Sequence, residues 1–379
     1  MKIDFAFKRT AVAWHQVASG LRRLGGALKG DLAEWVGGGN SVRPPAGATV
    51  SLPRERPEIF VSYATDETLS GSHHFCGGEK LLNNLVLLLR RHGYEAWMVS
   101  LDGKHSDWLA EHAPFLSIDE FRVRRERAVD SRCVTSWIMA EAFLKHCPSF
   151  YFWDQELGAS SRSHFPTLAR KMAAGKIIKT AGVNRTVQAW HRAMFEVPAL
   201  ALRQLIDEAH WRPAPSRRVP RRVGYFDEGE HGAEFIRRIG EVAREAGIEL
   251  DFFQLAGVER EIISEMQTCG SFIALNIGKS PLWGEGGPMS PQEAMACGTV
   301  PLCFDINGPW EVIQPHYNGV IVAEITPDAM GRELAAIYAT PGRLETMSRR
   351  CVEMTESSHT MEARWPTVAR FLDLPESGV

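Results

Sequence analysis

Apolar and polar positions along this chain alternate between two patterns, and the patterns follow one another in a regular order. Short, nearly unbroken apolar runs stand at Ile59-Phe60-Val61-Ser62-Tyr63, Ala96-Trp97-Met98-Val99 and Ser149-Phe150-Tyr151-Phe152-Trp153. Ile177-Ile178 marks another short run. Runs of this kind predict strands buried on both faces, as in a parallel sheet. Between the first two lies Glu79 to Arg91, apolar at helical spacing and closed by His92-Gly93. A strand, a glycine-bearing loop (residues 64–78, ending Gly77-Gly78), a helix and a second strand make a βαβ unit. The same order restarts further on. Val223-Gly224-Tyr225-Phe226 predicts a strand, Ala233 to Glu245 a helix closed by Gly247, and Leu250 to Leu255 and Phe272 to Leu275 strands. A short helix at 291–297 and a strand at Val300 to Phe304 follow. Between the two series, Trp211 to Pro220 is rich in Pro and Arg and breaks the pattern.

The predicted organisation is therefore two Rossmann-like, doubly wound parallel-sheet domains facing a cleft, residues 57–212 and 213–379. An amphipathic helix around Trp365 to Leu372, within about 355–374, closes the second. Residues 1–56 precede them. From Phe7 to Trp35 apolar residues recur at three- to five-residue steps with Lys8, Arg9, Arg22, Arg23 and Lys29 between them. That predicts a basic amphipathic helix suited to an anionic membrane surface or to packing on the first domain. A Gly/Pro-rich linker, Gly37 to Pro53, follows it.

Composition narrows the class. A chain of 379 residues, 44% hydrophobic and 23% charged, is globular and long enough for two cores. A net charge of −3 gives no general attraction for nucleic acid. The seven cysteines lack CxxC spacing and several sit in apolar runs, which points to a reducing compartment. No apolar stretch reaches the roughly 20 residues that cross a bilayer, and the first residues lack a signal-peptide core. The expectation is a cytoplasmic protein, soluble or peripheral on the inner face of the membrane.

The densest chemical signal is the run from Gly284 to Gly298, GEGGPMSPQEAMACG. It reads as a loop entering a helix, with Ser290 as N-cap, Pro291 at the first helical position, Glu293 completing a capping box and Gly298 as the stop. A glycine loop feeding a helix N-terminus at a strand's carboxyl end is where phosphates bind. From spacing alone Glu293 is either a cap or a ligand, and Glu285 either a contact or a solvated loop residue.

The wider run resembles the donor-binding signature of glycosyltransferase family 4 and its retaining GT-B relatives. Seven residues separate Glu285 from Glu293, where the run EAMACGTVP begins, then come Asp305 to Ile313 with Asn307 and Glu311, then Tyr317-Asn318-Gly319-Val320-Ile321-Val322. The likeness covers about forty residues. It implies a GT-B fold whose last helix crosses back to the first domain, and a metal-independent, cofactor-free transfer with retention from a nucleotide-diphosphate sugar. Glu293 would hold the ribose hydroxyls, Gly287, Pro288, Met289 and Ser290 would face the diphosphate and sugar, and Glu285 would touch the transferred sugar. Gly77-Gly78 would close on the diphosphate from the first domain. The acceptor would be a glycan, a lipid-linked sugar or a small molecule.

Departures from the pattern accompany the likeness. The loop where the family places an Arg and a Lys is acidic here, Asp227 to Gly232, with Lys279 and His231 as candidate substitutes. Pro288 removes one N–H donor. Tyr151 to Glu156 resembles an acidic strand-end motif of bacterial rhamnosyltransferases, which makes Asp154 and Glu156 candidates for orienting an acceptor hydroxyl. His73, His74 and Cys76 have no second ligand pair at a zinc spacing, and the loop 64–78 carries no P-loop Lys-Ser/Thr. The arginines at 122, 124, 125 and 127 read as a solvated helix face paired with Glu126, or as a site for an anionic acceptor or polymer. Two other readings share the fold: a sugar-nucleotide epimerase-like enzyme and a catalytically inactive binding module.

Overall fold

The computed structural model describes residues 56–62, 77–105, 107–128, 130–136, 143–155, 175–194, 197–226, 229–276, 288–306 and 308–376. The chain divides into two compact units, Met1–Arg54 and Glu55–Val379. The first unit, and with it the amphipathic extension, lies outside the described residues.

The second unit holds two sheets, every strand pair in them parallel. Seven strands form the first: β1 (Glu58–Ser62), β2 (Ala96–Ser100), β3 (Phe115–Ser117), β4 (Ser131–Thr135), β5 (Phe150–Asp154), β6 (Ile177–Gly182) and β7 (Ala199–Ala201). Their order is β3-β2-β1-β4-β5-β6-β7. Five form the second: β8 (Val219–Phe226), β9 (Asp251–Leu255), β10 (Cys269–Ala274), β11 (Val300–Phe304) and β12 (Val320–Val322), in the order β12-β11-β10-β8-β9. Each order reverses direction once, between β1 and β4 and between β8 and β10. In open α/β sheets, ligands bind outside the carboxyl ends of the strands at that reversal. At the first reversal the hydroxyls of Ser62 and Thr135, the last residues of β1 and β4, are bonded at 2.8 Å.

The helices among the described residues are α1 (Gly77–Arg91), α2 (Ile118–Arg127), α3 (Arg185–Met194), α4 (Gly229–Glu245), α5 (Glu259–Met266), α6 (Met289–Ala296), α7 (Pro327–Ala339), α8 (Arg343–Ser358) and α9 (Met361–Leu372). Every residue of β5 is buried. Phe150 and Phe152 join one core layer with Phe60 and Phe121, while Tyr151 and Trp153 join the layer containing the apolar residues of α1. That period of two on both faces is why the strand reads as an unbroken apolar run.

α9 leaves the second sheet and packs on the first domain. Trp365 stacks on His92 with ring centroids 3.6 Å apart, and the Tyr151 hydroxyl donates to Asp373 at 3.0 Å. The segment expected as one helix over 355–374 is broken at His359-Thr360, where the Thr360 hydroxyl caps α9 by accepting from Ala363 N–H.

Three expectations need correcting. α4 begins at Gly229, so the part of the acidic stretch from Gly229 to Gly232 is helix, while Asp227 and Glu228 lie outside the described residues. β3, β4, β7 and β12 are not among the expected strands. And α6 starts two residues early, at Met289 with Pro288 as N-cap, so no capping box forms. Pro288 has no side-chain acceptor to offer, and Glu293 is thereby released from the helix end. At the other end the expectation holds, with Gly298 at φ +72°, Gly298 N–H on Met295 O and Thr299 N–H on Ala294 O.

Candidate functional site

The helices α1, α5 and α6 each follow the carboxyl end of a parallel strand, and their first turns converge. Gly77, the first residue of α1, lies against Met289, the first of α6: a methyl on Gly77 would sit 3.6 Å from the Met289 sulfur. Gln155, just past β5, donates to the Gly78 carbonyl at 3.1 Å. Three residues into α1, Lys80 is 4% exposed and its ammonium reaches Glu293 of α6 and Glu259, the first residue of α5. It also lies 4.2 Å from the centre of the Trp211 ring, on the connection between the sheets. A cation from one domain is thus enclosed by two carboxylates of the other.

The carboxylates differ in support. Glu259 accepts from Ala110 N–H at 2.6 Å and from the Trp211 indole at 3.0 Å, besides Lys80. Burial raises the pKa of Glu259, but Lys80 and these donors outweigh it and hold the carboxyl below its usual range. Glu293 is equally enclosed and has Lys80 as its one side-chain partner among the described residues. There burial wins, and with the charge of Glu259 it pushes the Glu293 carboxyl up. Burial also acts against the charge of Lys80, yet Glu293 and Glu259 together keep its pKa above the ordinary lysine value.

Other candidates fall into place around this cluster. Pro288 and Met289 are buried, and Ser290, inside the helix, is partly exposed. The Gln292 amide donates to Gln204 of the first domain and to the Pro288 carbonyl, both at 3.3 Å. Glu311 pairs with Arg203, just past β7, and accepts from the backbone N–H of Arg185, the first residue of α3, at 3.2 Å. Asp154, fully buried at the end of β5, is bonded to His191 of α3 at 3.0 Å and faces the interior. His231 is exposed in the first turn of α4. Glu156, Lys279, Glu285, Gly287, Asn307, His73, His74 and Cys76 lie outside the described residues.

Sequence reasoning missed Lys80, Glu259, Trp211 and Arg203. The available signal was a lysine beside Glu79 in the first turn of a helix that then carries no further charge until Arg90. The arginine cluster of α2 is not centred on Glu126: Arg124 pairs with Glu58 and Glu95 and lies 4.4 Å from the Trp97 ring centre. Glu111, Asp207 and His210 come together at a distance a metal ion could bridge. Asp207 there is already engaged by Arg91 at 2.7 Å and by His210 at 2.8 Å.

No helix of the described residues is long and apolar enough to cross a membrane. Residues 237–354 match the family described as glycosyl transferases group 1, a stretch that contains Glu259, Glu293 and Glu311. No curated protein matches the sequence. Among solved structures, the chain is similar to a sucrose-phosphate synthase from Thermosynechococcus elongatus, with a TM-score of 0.60 and 14% identity over 82% of this chain and 96% of that one. A glycosyltransferase from Rickettsia africae gives 0.59 and 11% over 84% and 99%. HepE of Anabaena in complex with UDP-glucose gives 0.58 and 12% over 83% and 99%. With a glycosyl transferases group 1 domain set in two parallel-sheet domains of GT-B architecture, the chain is a glycosyltransferase.

Proposed function

We propose that the enzyme transfers a sugar from a nucleotide-diphosphate donor, with retention and without a metal, to a glycan, lipid-linked or small-molecule acceptor. The observation that carries this reading is the meeting of Gly77, Lys80, Met289 and Glu293 at strand carboxyl ends of both sheets. The N-terminus of α6 and the β8/β10 reversal supply the setting in which a phosphate is stabilised by backbone N–H groups. Glu293 holds the ribose hydroxyls, and the first turn of α6 with Gly77-Gly78 faces the diphosphate. Glu285 meets the transferred sugar in this reading, a role taken from the family likeness. The uridine nucleotide in the HepE structure makes UDP-sugars the first donors to try.

The test is incubation with a panel of nucleotide sugars, with and without glycan acceptors, followed by assay of free nucleoside diphosphate. Slow donor hydrolysis that accelerates with an acceptor is expected. Isomerised sugar without transfer would establish the epimerase instead, and no turnover with any donor would leave a binding module. Glu293→Gln should weaken nucleoside diphosphate binding about ten- to hundredfold, since a hydrogen bond to a charged group contributes about 1.5–3 kcal/mol. Undiminished binding by that variant, measured calorimetrically, would remove Glu293 from the site.

A further inference from the structure

We propose that Lys80 is a positioning residue for donor binding: anchored permanently by Glu259, it keeps the Glu293 carboxylate charged and aimed at a vicinal pair of hydroxyls. The inference rests on the reading above that Glu293 binds the ribose. Its grounds are geometric. One ammonium serves two carboxylates in a space where all three side chains are almost closed to water, so the cluster carries one negative charge more than positive. Such an excess persists only where each anion is well supplied with donors.

Glu259 is supplied. Its oxygens take Lys80, the Ala110 N–H and the Trp211 indole, and its own backbone N–H is tied to the Trp108 carbonyl at 2.8 Å. Glu293 has Lys80 alone among the described residues. It is therefore the carboxylate with acceptor capacity left for a ligand. It is also the one whose charge is least secure, since burial favours its neutral form. A neutral carboxyl is a poor acceptor for two hydroxyl groups at once. The charge beside it is what lets it act.

The groups that set this balance come from each element packed around Glu293. They are Lys80 of α1, Glu259 of α5 and, one turn further along its own helix, Cys297. Around Glu259 stand His112 and Arg260, and Arg260 is held by the Ala110 carbonyl at 2.8 Å. A lysine placed three residues after Gly77 also ties the donor helix to the glycine turn that meets it, so the same contact orients both sides of the site.

The experiment is calorimetric titration of the full chain with UDP, ADP and GDP from about pH 5 to about pH 9. Lys80→Met should make binding fall about tenfold per pH unit below a midpoint displaced to higher pH than in the parent protein. Lys80→Arg should restore the parental profile. Glu259→Gln, which removes the competing anion, should move the midpoint the other way, to lower pH, and it tests the proposal even if the Met variant does not fold. Binding weakened equally at every pH in Lys80→Met, or no displacement in Glu259→Gln, would show Lys80 to be merely structural and overturn the inference. If Glu293→Gln binds as well as the parent, or if the parent binds none of the three nucleotides, the ribose reading itself fails. If Glu293→Gln is impaired while the Lys80 and Glu259 variants keep the parental profile, only the present proposal falls.

Discussion

A charged side chain inside a fold is expensive unless its partners are fixed, and the described residues meet this need in different ways. Lys80 joins residues of different domains, whereas Asp154 and His191, both closed to water, join a strand to a helix of one domain. The expectation that Asp154 orients an acceptor meets a carboxylate already bonded to His191. Asp154→Asn should cost about 1.5–3 kcal/mol, the range for a hydrogen bond to a charged group. It should lower the midpoint of urea unfolding and leave turnover per folded molecule intact. Lost turnover with unchanged stability would instead give Asp154 a chemical role. The sequence made Glu293 visible because a motif surrounds it. Its partner was not visible, because Lys80 lies 213 positions away and no local spacing encodes a contact made by two domains. Asn83 and Asn84 show the same limit. They sit within the apolar stretch of α1, yet each is engaged, Asn84 donating to the Leu205 carbonyl at 2.8 Å and Asn83 donating to Glu111 O and accepting from Ala113 N–H.

Elements were legible where periodicity was strong. β1, β2, β5 and β11 announce themselves as apolar runs. β3 and β7 are three residues long, and β4 opens with Ser131-Arg132, so no pattern had room to develop. The start of α6 was misplaced because Ser-Pro-x-Glu fits a capping box locally, while the packing of Met289 against Gly77 draws the helix back. Close approach also governs α4 and α7. A methyl group at Gly331 of α7 would lie 2.7 Å from the Val242 Cβ and 3.0 Å from the Ile239 carbonyl oxygen of α4. Gly331→Ala should therefore destabilise by about 1–3 kcal/mol through overpacking, although alanine is the better helix former. Chemical denaturation would show it, and a variant as stable as the parent would mean that the two helices separate without cost.

For the whole molecule, the junction between α8 and α9 is one place where pH acts on stability. His359 is buried there, its backbone carbonyl accepting from Ile206 N–H at 3.1 Å and its ring from Arg364 at 2.9 Å. Burial first, then Arg364 and Arg203, push its pKa down to about 3 from an ordinary 6.5. A histidine neutral in the fold and protonated when unfolded contributes stability that is fully present above the unfolded value. That stability is lost progressively as pH falls from 6.5 toward about 3. His359→Gln should flatten the decline in unfolding free energy between about pH 6.5 and pH 5, a window above the ordinary carboxylate range. An unchanged slope would place the titration elsewhere. The crossing helix has a consequence of another sort, in the time order of synthesis. Tyr151 waits for Asp373, 222 positions later, and His92 waits for Trp365. At about 5–20 residues per second, the first domain spends on the order of ten seconds or more on the ribosome without its closing helix. The apolar surface that Trp365, Val368, Phe371 and Leu372 cover is open meanwhile. A chain halted after Ser358 should accordingly associate with holdase chaperones or aggregate, as read by sedimentation. Were it to remain dispersed, the first domain would have to be complete without the helix that ends the enzyme's second half.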